Sequence, residues 1–393
     1  MKLLKIVCAE WNNASRDKRE LSVVESLGAQ AIVMAKGKSN DNLKKICIDG
    51  FDVFCLGTKP LGTNPLLNIP NKIASIFSWA FKAKSFNADV FSCHDLGALL
   101  IGWLSTLFTP KARRPLLVYD CHEYTVGLKA YQNKYKKEIV AIVEKFLMKK
   151  CVFSIMVNET ISERVQTQYN LKEKPLSIKN TPSKWVLDEE KTELIRQEIQ
   201  AKLKIDNAAF VSMYHGAILP YRGIETFIKA VSYADDVYGI VLGNFASEGY
   251  EKEIKALVEK EQVKDKILFL PAVPHKELKN YIGAVDCGVS LLQNTCENHL
   301  YALPNKFFEC IQCLTPVVVS DFPAISAVVD EYGIGLKCNP ASHIEVANAF
   351  NEMKADPGIY RNFKSNMEKA REELCWEKEK EELIKAYKKI LIR

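Results

Sequence analysis

Short apolar runs rich in β-branched residues alternate with longer helical segments along the whole chain of 393 residues. This alternation is typical of βαβ units, in which parallel strands form a sheet that helices cover on both faces. The pattern therefore predicts an α/β protein with doubly wound parallel sheets. The predicted strands are Leu3–Cys8, Ala31–Ala35, Val53–Leu56, Val90–Cys93, Leu116–Tyr119, Phe153–Val157, Phe210–Tyr214, Gly239–Leu242, Ile267–Leu270, Cys287–Leu292, Val317–Ser320 and Gly335–Lys337.

A polar helical stretch separates two series of strands, and the chain is long enough for two or three domains. We predict two Rossmann-like domains facing a cleft, one over residues 1–185 and one over residues 207–375, with a linker over 186–206. The final helix, Trp376 to Ile392, is amphipathic. We expect residues 376–393 to pack on the N-terminal domain.

Composition indicates a globular protein, since 48% of the residues are apolar and 26% are charged. The N-terminus begins as a strand and lacks the layout of a signal peptide. The longest apolar run, Gly97–Phe108, is shorter than the ~20 residues of a membrane-spanning helix. We therefore expect a cytoplasmic protein. Cys310 and Cys313 have zinc-like spacing, but they lie in a predicted helix without a second cysteine pair, so we expect no zinc.

Positive charge is concentrated in the first half, where residues 1–185 hold 28 Lys and Arg against 16 Asp and Glu. Many of these cations flank apolar segments, which favours contact with an anionic membrane over a nucleic acid, since no nucleic-acid-binding motif accompanies them. A merely solvated basic face explains the pattern equally well. The cations are Lys72, Lys82, Lys84, Lys111, Arg113, Arg114, Lys134, Lys136, Lys137, Lys149 and Lys150.

Four of the six histidines follow predicted strands directly. Doubly wound sheets bind ligands beyond the carboxyl ends of their strands. One histidine in such a place is more often structural, but the recurrence favours a ligand site. The residues concerned are His94 and Asp95, His122 and Glu123, His215 and Gly216, and His275.

The segment from Tyr301 to Glu309 lies between two predicted strands. Pro304 fits the first turn of a helix, where its missing N–H costs nothing. Lys306 and Glu309 would then share one face near the electropositive helix start. Such a pair is more often a solvated ion pair. In a site, it suits a ligand with an anionic part and a hydroxyl-bearing part, such as a nucleoside diphosphate sugar.

These motifs, in this order, resemble those of the GT-B glycosyltransferases of the family-4 type, over nearly the whole chain. The resemblance implies the GT-B fold and retaining transfer of a sugar from a nucleoside diphosphate sugar to a saccharide or lipid-linked acceptor, in polysaccharide or glycoconjugate biosynthesis. The matching segments are Asp17–Arg19 with Ser26–Gly28, Ala88–Leu96, Tyr119–Glu123, Asn180–Pro182, Tyr214–Gly223, Leu270–Pro274 with Glu277–Leu278, and Tyr301–Glu309.

The resemblance also implies residue roles on the donor side. Gly216 permits close approach of the backbone to the diphosphate, and Arg222 and Lys306 neutralise it as it leaves. Glu309 accepts hydrogen bonds from the ribose, and Val273 holds the base through its backbone. Asn305 and Tyr301 complete the predicted donor site.

In the first domain, the resemblance places His122 toward the donor sugar, as a third catalytic residue beside Arg222 and Lys306. His94, Asp95 and Glu123 are predicted to lie on the acceptor side. The chain has no Asp-x-Asp sequence, which metal-dependent glycosyltransferases use to hold a cation on the diphosphate. We therefore expect neither a metal nor a cofactor.

The chain departs from the family pattern at two positions. Tyr301 stands where many members have a second glutamate, eight residues before Glu309, and Ala217 stands where an arginine is common. Two alternatives stay open: a non-catalytic GT-B partner subunit, which the loss of that glutamate permits, and a GT-B nucleotide-sugar 2-epimerase. A dinucleotide-dependent oxidoreductase is disfavoured because no Gly-x-Gly-x-x-Gly follows a predicted strand.

Overall fold

The computed structural model of the chain describes residues 1–11, 15–38, 41–57 and 68–391. The chain divides into two compact units. The first unit comprises Met1–Lys179 with Lys380–Arg393, and the second comprises Asn180–Glu379. The domain boundary predicted near residue 185 therefore falls slightly earlier, at Lys179.

The first unit is built on one parallel sheet with a single antiparallel edge, as far as the described residues show. Its strands are β1 (Lys2–Val7), β2 (Gln30–Lys36), β3 (Asn42–Ile48), β4 (Phe51–Leu56), β5 (Val90–His94), β6 (Leu116–Asp120), β7 (Phe153–Met156) and β8 (Leu176–Ser177). Its helices are α1 (Ser15–Ser26), α2 (Asn68–Ser85), α3 (Asp95–Leu107), α4 (Lys134–Met148) and α5 (Glu159–Tyr169), with short 3₁₀ turns at Lys111–Arg113, Thr125–Gly127 and Lys129–Tyr131.

The strand order of this sheet is β3-β4-β2-β1-β5-β6-β7-β8. Strand β1 lies in the middle and pairs in parallel with β2 and β5. Its apolar side chains are fully buried because helices cover both faces of the sheet. The carboxyl ends of β1, β5 and β6 consequently meet at one edge, where the candidate residues of this unit lie.

The second unit contains a parallel sheet with the order β11-β10-β9-β12-β13-β14, where β9 is Phe210–His215, β10 Val237–Leu242, β11 Ile267–Leu270, β12 Cys287–Ser290, β13 Val317–Ser320 and β14 Gly335–Cys338. Its helices are α6 (Glu189–Leu203), α7 (Ile224–Tyr233), α8 (Glu248–Lys260), α9 (His275–Gly283), α10 (Glu297–Leu300), α11 (Asn305–Gln312), α12 (Pro323–Tyr332), α13 (His343–Ala355) and α14 (Pro357–Glu373). The two parallel sheets confirm the predicted fold class.

The linker predicted over residues 186–206 is instead part of the second unit. Helix α6 forms there and buries Ile195, Ile199 and Leu203 in one of the unit's apolar cores. The prediction was wrong because most residues of α6 are polar, so the narrow apolar stripe that packs on the core was not recognised in the sequence.

The last helix, α15 (Trp376–Leu391), passes from the second unit into the first. Tyr387 is fully buried and its ring meets Phe153 edge-on at 5.3 Å. The end of α15 therefore packs on the first unit as predicted, although the expected terminal residue, Ile392, lies outside the described residues.

Candidate functional site

The loop that follows β9 in the second unit brings the chain close to neighbouring backbone. Gly216 has a φ of 103°, a conformation that side-chain-bearing residues rarely adopt. A Cβ at Gly243 would lie 1.9 Å from the carbonyl oxygen of Gly216, so only glycine fits there. At the end of the loop, a Cβ at Gly223 would lie 2.1 Å from the carbonyl oxygen of Leu291. This backbone is therefore held in one close-packed path beside the sheet edge.

Lys306 lies beside that loop, at the start of α11. Its Cε atom is 4.0 Å from the position that a Cβ of Gly216 would take. Its Nζ atom sits 3.6 Å from the centre of the Tyr214 ring, a favourable cation–π distance. No ion pair joins Lys306 to a carboxylate among the described residues. Burial and the charge of Arg222 together lower the pKa of Lys306 to about 7.

Arg222 is exposed at the other end of the loop, and its influence on Lys306 shows that the two cations are near each other. Tyr221, next to it, has a φ of 66°, and its carbonyl oxygen accepts a hydrogen bond from the amide of Gln293. This positive φ redirects the chain just before Arg222. Gly223 comes next and caps the start of α7. The two predicted diphosphate cations thus share one edge of the second sheet.

Glu309 does not pair with Lys306 but with two histidines. His215 Nε2 lies 2.9 Å from one of its carboxylate oxygens, and His275 Nε2 lies 3.5 Å from the other. Burial alone would raise the pKa of Glu309, but the two imidazoles lower it to about 2. His215 is itself fully buried, which lowers its pKa. A neutral His215 then donates its Nε2–H to an ionised Glu309.

The remaining predicted donor residues surround this group in the second unit. Val273 follows β11, and its side chain packs against the apolar core, which leaves its backbone at the sheet edge. Asn305 is exposed at the first position of α11, where its amide oxygen accepts a hydrogen bond of 2.9 Å from Asn180. Tyr301 is half-buried directly after α10. Pro304 precedes the helix instead of entering its first turn.

The first unit contains a fully buried lysine, Lys5, in its central strand β1. Lys5 Nζ lies 2.8 Å from Asp17 and 2.9 Å from Asp120, and it also bonds to Glu20. Burial alone would lower the pKa of Lys5, but the three carboxylates raise it well above its ordinary value. Arg16 adds a second cation, 2.9 Å from Asp120. These groups form a network whose charges are compensated within the unit.

Two histidines lie on top of this network with their rings stacked. The ring centres of His94 and His122 are 3.7 Å apart. His94 Nδ1 is 2.9 Å from Asp17, and His122 Nε2 is 3.0 Å from Asp120. Burial would lower both pKa values, but these carboxylates outweigh it, raising the pKa of His94 to about 10 and that of His122 above its ordinary value. The carboxylates therefore favour the protonated form of both imidazoles.

The other two acceptor-side candidates occupy different surroundings. Asp95, which has a φ of 63°, accepts a 2.9 Å hydrogen bond from the backbone amide of His122 and lies 3.4 Å from His94. The side chain of Glu123 is exposed, while its carbonyl accepts a bond from the buried thiol of Cys121. The structure thus brings His94, Asp95 and His122 together.

Within the described residues, two groups have atoms close enough to ligate one metal: Asp17 with His94 and His122, and Asp17 with Glu20 and Asp120. Lys5 already places its ammonium within the second group. Metal ligation requires deprotonated imidazole nitrogens, whereas the carboxylates favour the protonated form of both histidines. The carboxylates of both groups are already engaged by other side chains of the protein.

The sequence did not indicate the supporting residues Lys5, Arg16 and Glu20, or that His215 and His275 converge on Glu309. One signal was present, since Lys5 is a lysine within an otherwise apolar central strand. Such a lysine is almost never fully buried without partners. The four histidines after strands come together as two pairs, one in each unit, and their role in ligand binding stays a prediction.

Comparisons with known proteins agree with this architecture. Residues 195–370 match the family described as Glycosyl transferases group 1. Sucrose-phosphate synthase from Thermosynechococcus elongatus is 16% identical, with a TM-score of 0.76 and complete coverage of both chains. HepE of Anabaena in complex with UDP-glucose is 14% identical, with a TM-score of 0.69 and coverage of 100% of this chain and 98% of HepE. A glycosyltransferase from Rickettsia africae is 14% identical, with a TM-score of 0.69 and coverage of 99% and 98%.

No curated protein sequence matches the chain significantly. The structural neighbours establish that the chain has the GT-B fold of glycosyltransferases. The residues that match Glycosyl transferases group 1, 195–370, lie in the second unit and include Gly216, Arg222, Lys306 and Glu309. The resemblance to GT-B glycosyltransferases drawn from the sequence motifs is therefore confirmed, whereas the family-4 type stays a prediction.

Proposed function

We propose that the protein transfers a sugar, with retention, from a nucleoside diphosphate sugar to a saccharide or lipid-linked acceptor in polysaccharide or glycoconjugate biosynthesis. The observation that carries this proposal is the group at the edge of the second sheet. There, Lys306 lies beside the close-packed loop at Gly216 and is influenced by the charge of Arg222, and no carboxylate among the described residues pairs with it. Such an arrangement suits a bound anion.

The proposed donor contacts follow from the chemistry of each group. The diphosphate lies against Lys306, Arg222 and the amides after β9. Glu309, kept ionised by its histidines, accepts hydrogen bonds from the ribose hydroxyls, and the backbone at Val273 holds the base. UDP-glucose is the first donor to test, because the HepE structure was solved with that compound.

In the reaction proposed, the bond between the anomeric carbon and the diphosphate breaks, and an acceptor hydroxyl attacks the same face of the sugar. The acceptor proton passes to an oxygen of the departing phosphate. His122 positions the donor sugar as a donor of hydrogen bonds, since its raised pKa makes it a poor base. His94 and Asp95 hold His122 in place, and we assign Glu123 to the acceptor side.

We propose that no metal ion takes part, because Arg222 and Lys306 supply the charge that a metal would place on the diphosphate. Activity that is unchanged by a chelator would support this, and activity restored only by a divalent cation would reject it. The cytoplasmic location expected from the sequence stays a prediction.

The proposal is tested by screening UDP-, GDP- and ADP-sugars for a rise in melting temperature, since a ligand of the native state stabilises it. The best donor is then incubated with candidate acceptors, and the anomeric configuration of the product is read by NMR. A retained configuration supports the proposal. Failure of every nucleotide to bind would favour a non-catalytic partner subunit, and an epimerised nucleotide sugar formed without acceptor would favour the epimerase.

A further inference from the structure

Helix α4 in the first unit exposes apolar side chains on the face opposite to its packed face. Tyr135, Ile139, Ile142 and Phe146 are 75%, 62%, 66% and 45% exposed. Their spacing places them on one side of the helix. The buried residues, Glu144, Leu147 and Met148, lie on the other side. An amphipathic helix ordinarily turns its apolar stripe toward the core, so this stripe is not explained by the fold of the unit.

The exposed apolar surface continues from α4 across α3 to α2. Trp103 of α3 meets Phe146 at 5.4 Å between ring centres. At the end of α3, Phe108 stacks on Phe81 of α2 at 4.8 Å and meets Phe77 at 6.4 Å. We call this surface the α2–α4 face. A continuous exposed apolar patch of this kind marks an interaction surface. Its exposed apolar residues are Ile73, Phe77, Phe81, Leu107, Phe108, Tyr135, Ile139, Ile142 and Phe146.

The α2–α4 face is also strongly basic. Helix α2 contains no acidic residue, and of the two glutamates in α4 one, Glu144, is buried against Tyr119 and Tyr169. Lys150 lies 5.2 Å over the ring of Phe146, beside the apolar stripe. The exposed cations around the patch are Lys72, Lys111, Arg113, Arg114, Lys134, Lys136, Lys149 and Lys150.

We infer that the α2–α4 face docks on an anionic bilayer surface, with α4 lying in the plane of the interface. Apolar side chains at the centre of a basic rim are what such a surface selects, because the apolar stripe enters the acyl boundary while the lysines contact anionic headgroups. A nucleic acid would use the cations but not the aliphatic side chains. A second copy of the chain would bring two basic rims together. The inference is independent of the proposed donor site.

None of the helices in the described part of the chain is long and apolar enough to cross a membrane. The inferred contact is accordingly peripheral. It is tested with the full chain by co-sedimentation with phosphatidylcholine vesicles, with and without phosphatidylglycerol. We expect binding to require phosphatidylglycerol.

The decisive variant is the double substitution Ile139→Asp and Ile142→Asp, which removes the apolar stripe at two exposed positions. We expect binding to anionic vesicles to weaken about tenfold or more. The matched control, Leu194→Asp with Ile344→Asp, alters two exposed apolar residues of the second unit and should bind as the wild type does. Lys136→Glu with Lys149→Glu should abolish the preference for phosphatidylglycerol while keeping the apolar stripe. Circular dichroism checks that each variant is folded.

Three results would overturn the inference. Vesicle binding that survives loss of the apolar stripe would show that the contact is not interfacial. Absence of binding to either kind of vesicle would reject the membrane as the occupant. A wild-type dimer that dissociates in the Ile139→Asp, Ile142→Asp variant, seen by analytical ultracentrifugation, would assign the face to a second copy instead.

Discussion

Each unit has a lysine among its candidate residues, Lys5 in β1 and Lys306 at the start of α11. Their surroundings shift the two pKa values in opposite directions. Lys5 in the first unit is surrounded by Asp17, Glu20 and Asp120, which raise its pKa well above the ordinary value. Lys306 in the second unit lies over an aromatic ring near a second cation, and its pKa falls to about 7. The charge of Lys5 is compensated by carboxylates of the protein, whereas that of Lys306 is not compensated by a carboxylate among the described residues.

The surroundings extend this contrast. In the first unit, Lys5, Arg16 and the two histidines contact carboxylates of the same unit, namely those of Asp17, Glu20, Asp95 and Asp120. In the second unit, the carboxylate of Glu309 is engaged by His215 and His275 instead of by Lys306. A compensated network gives a rigid platform, and uncompensated cations give affinity for an anion.

The largest effect is expected when the compensated lysine is removed. Lys5→Met leaves three buried carboxylates without their central cation, and we expect a loss of about 3–5 kcal/mol in the free energy of unfolding. Urea denaturation measures it. Lys18→Met is the matched control, because Lys18 pairs with exposed Asp49 and should cost less than about 1 kcal/mol. Equal losses in the two variants would contradict the role of the Lys5 network.

Removal of the uncompensated cations should affect turnover and not stability. We expect Arg222→Ala and Lys306→Ala each to lower turnover about 100-fold or more, because each removes charge that stabilises the departing diphosphate. Steady-state kinetics with the identified donor measures the loss. Lys255→Ala, a change in an exposed i,i+4 ion pair on α8, is the control. Turnover close to that of the wild type in either site variant would reject its role.

A smaller effect is expected at the ribose contact. Glu309→Gln removes a charged acceptor, and we expect nucleotide affinity to fall about tenfold to 100-fold, as for a hydrogen bond to a charged group. The 2′-deoxy nucleotide provides the control in a double-mutant cycle. If Glu309 binds the ribose, the variant should discriminate less between the two nucleotides than the wild type does. Undiminished discrimination would place the ribose elsewhere.

A further effect concerns the pH dependence of stability in the first unit. The folded-state pKa of His94, about 10, lies above its unfolded value. Its stabilising contribution is therefore fully present below about pH 6.5 and is lost as the pH rises toward the folded pKa. We expect His94→Gln to lower the free energy of unfolding more near pH 6 than near pH 9. A difference independent of pH would contradict the stabilisation of protonated His94 by the Asp17 carboxylate.

The strands were predictable because they are short runs of mostly apolar residues, and Ile267–Leu270 and Val317–Ser320 match the structure residue for residue. Strand β3 was missed because it lies at the sheet edge, where Asn42–Ile48 exposes most of its side chains and carries Lys44 and Lys45. The pairing of His215 and His275 with Glu309 was beyond the sequence, since it joins residues from three separate elements.

The central claim is that Lys306 binds the diphosphate of the donor. Proton uptake on nucleotide binding tests this claim most directly. Near pH 8, a lysine with a pKa of about 7 is mostly neutral, and a bound diphosphate would raise that pKa and protonate the amine. Calorimetric titration with UDP, GDP and ADP in buffers of different ionisation enthalpy measures the uptake. For the nucleotide that binds, we predict an uptake of about one proton per site by the wild type. The Lys306→Arg variant should take up almost none. Binding without proton uptake by the wild type would contradict the claim.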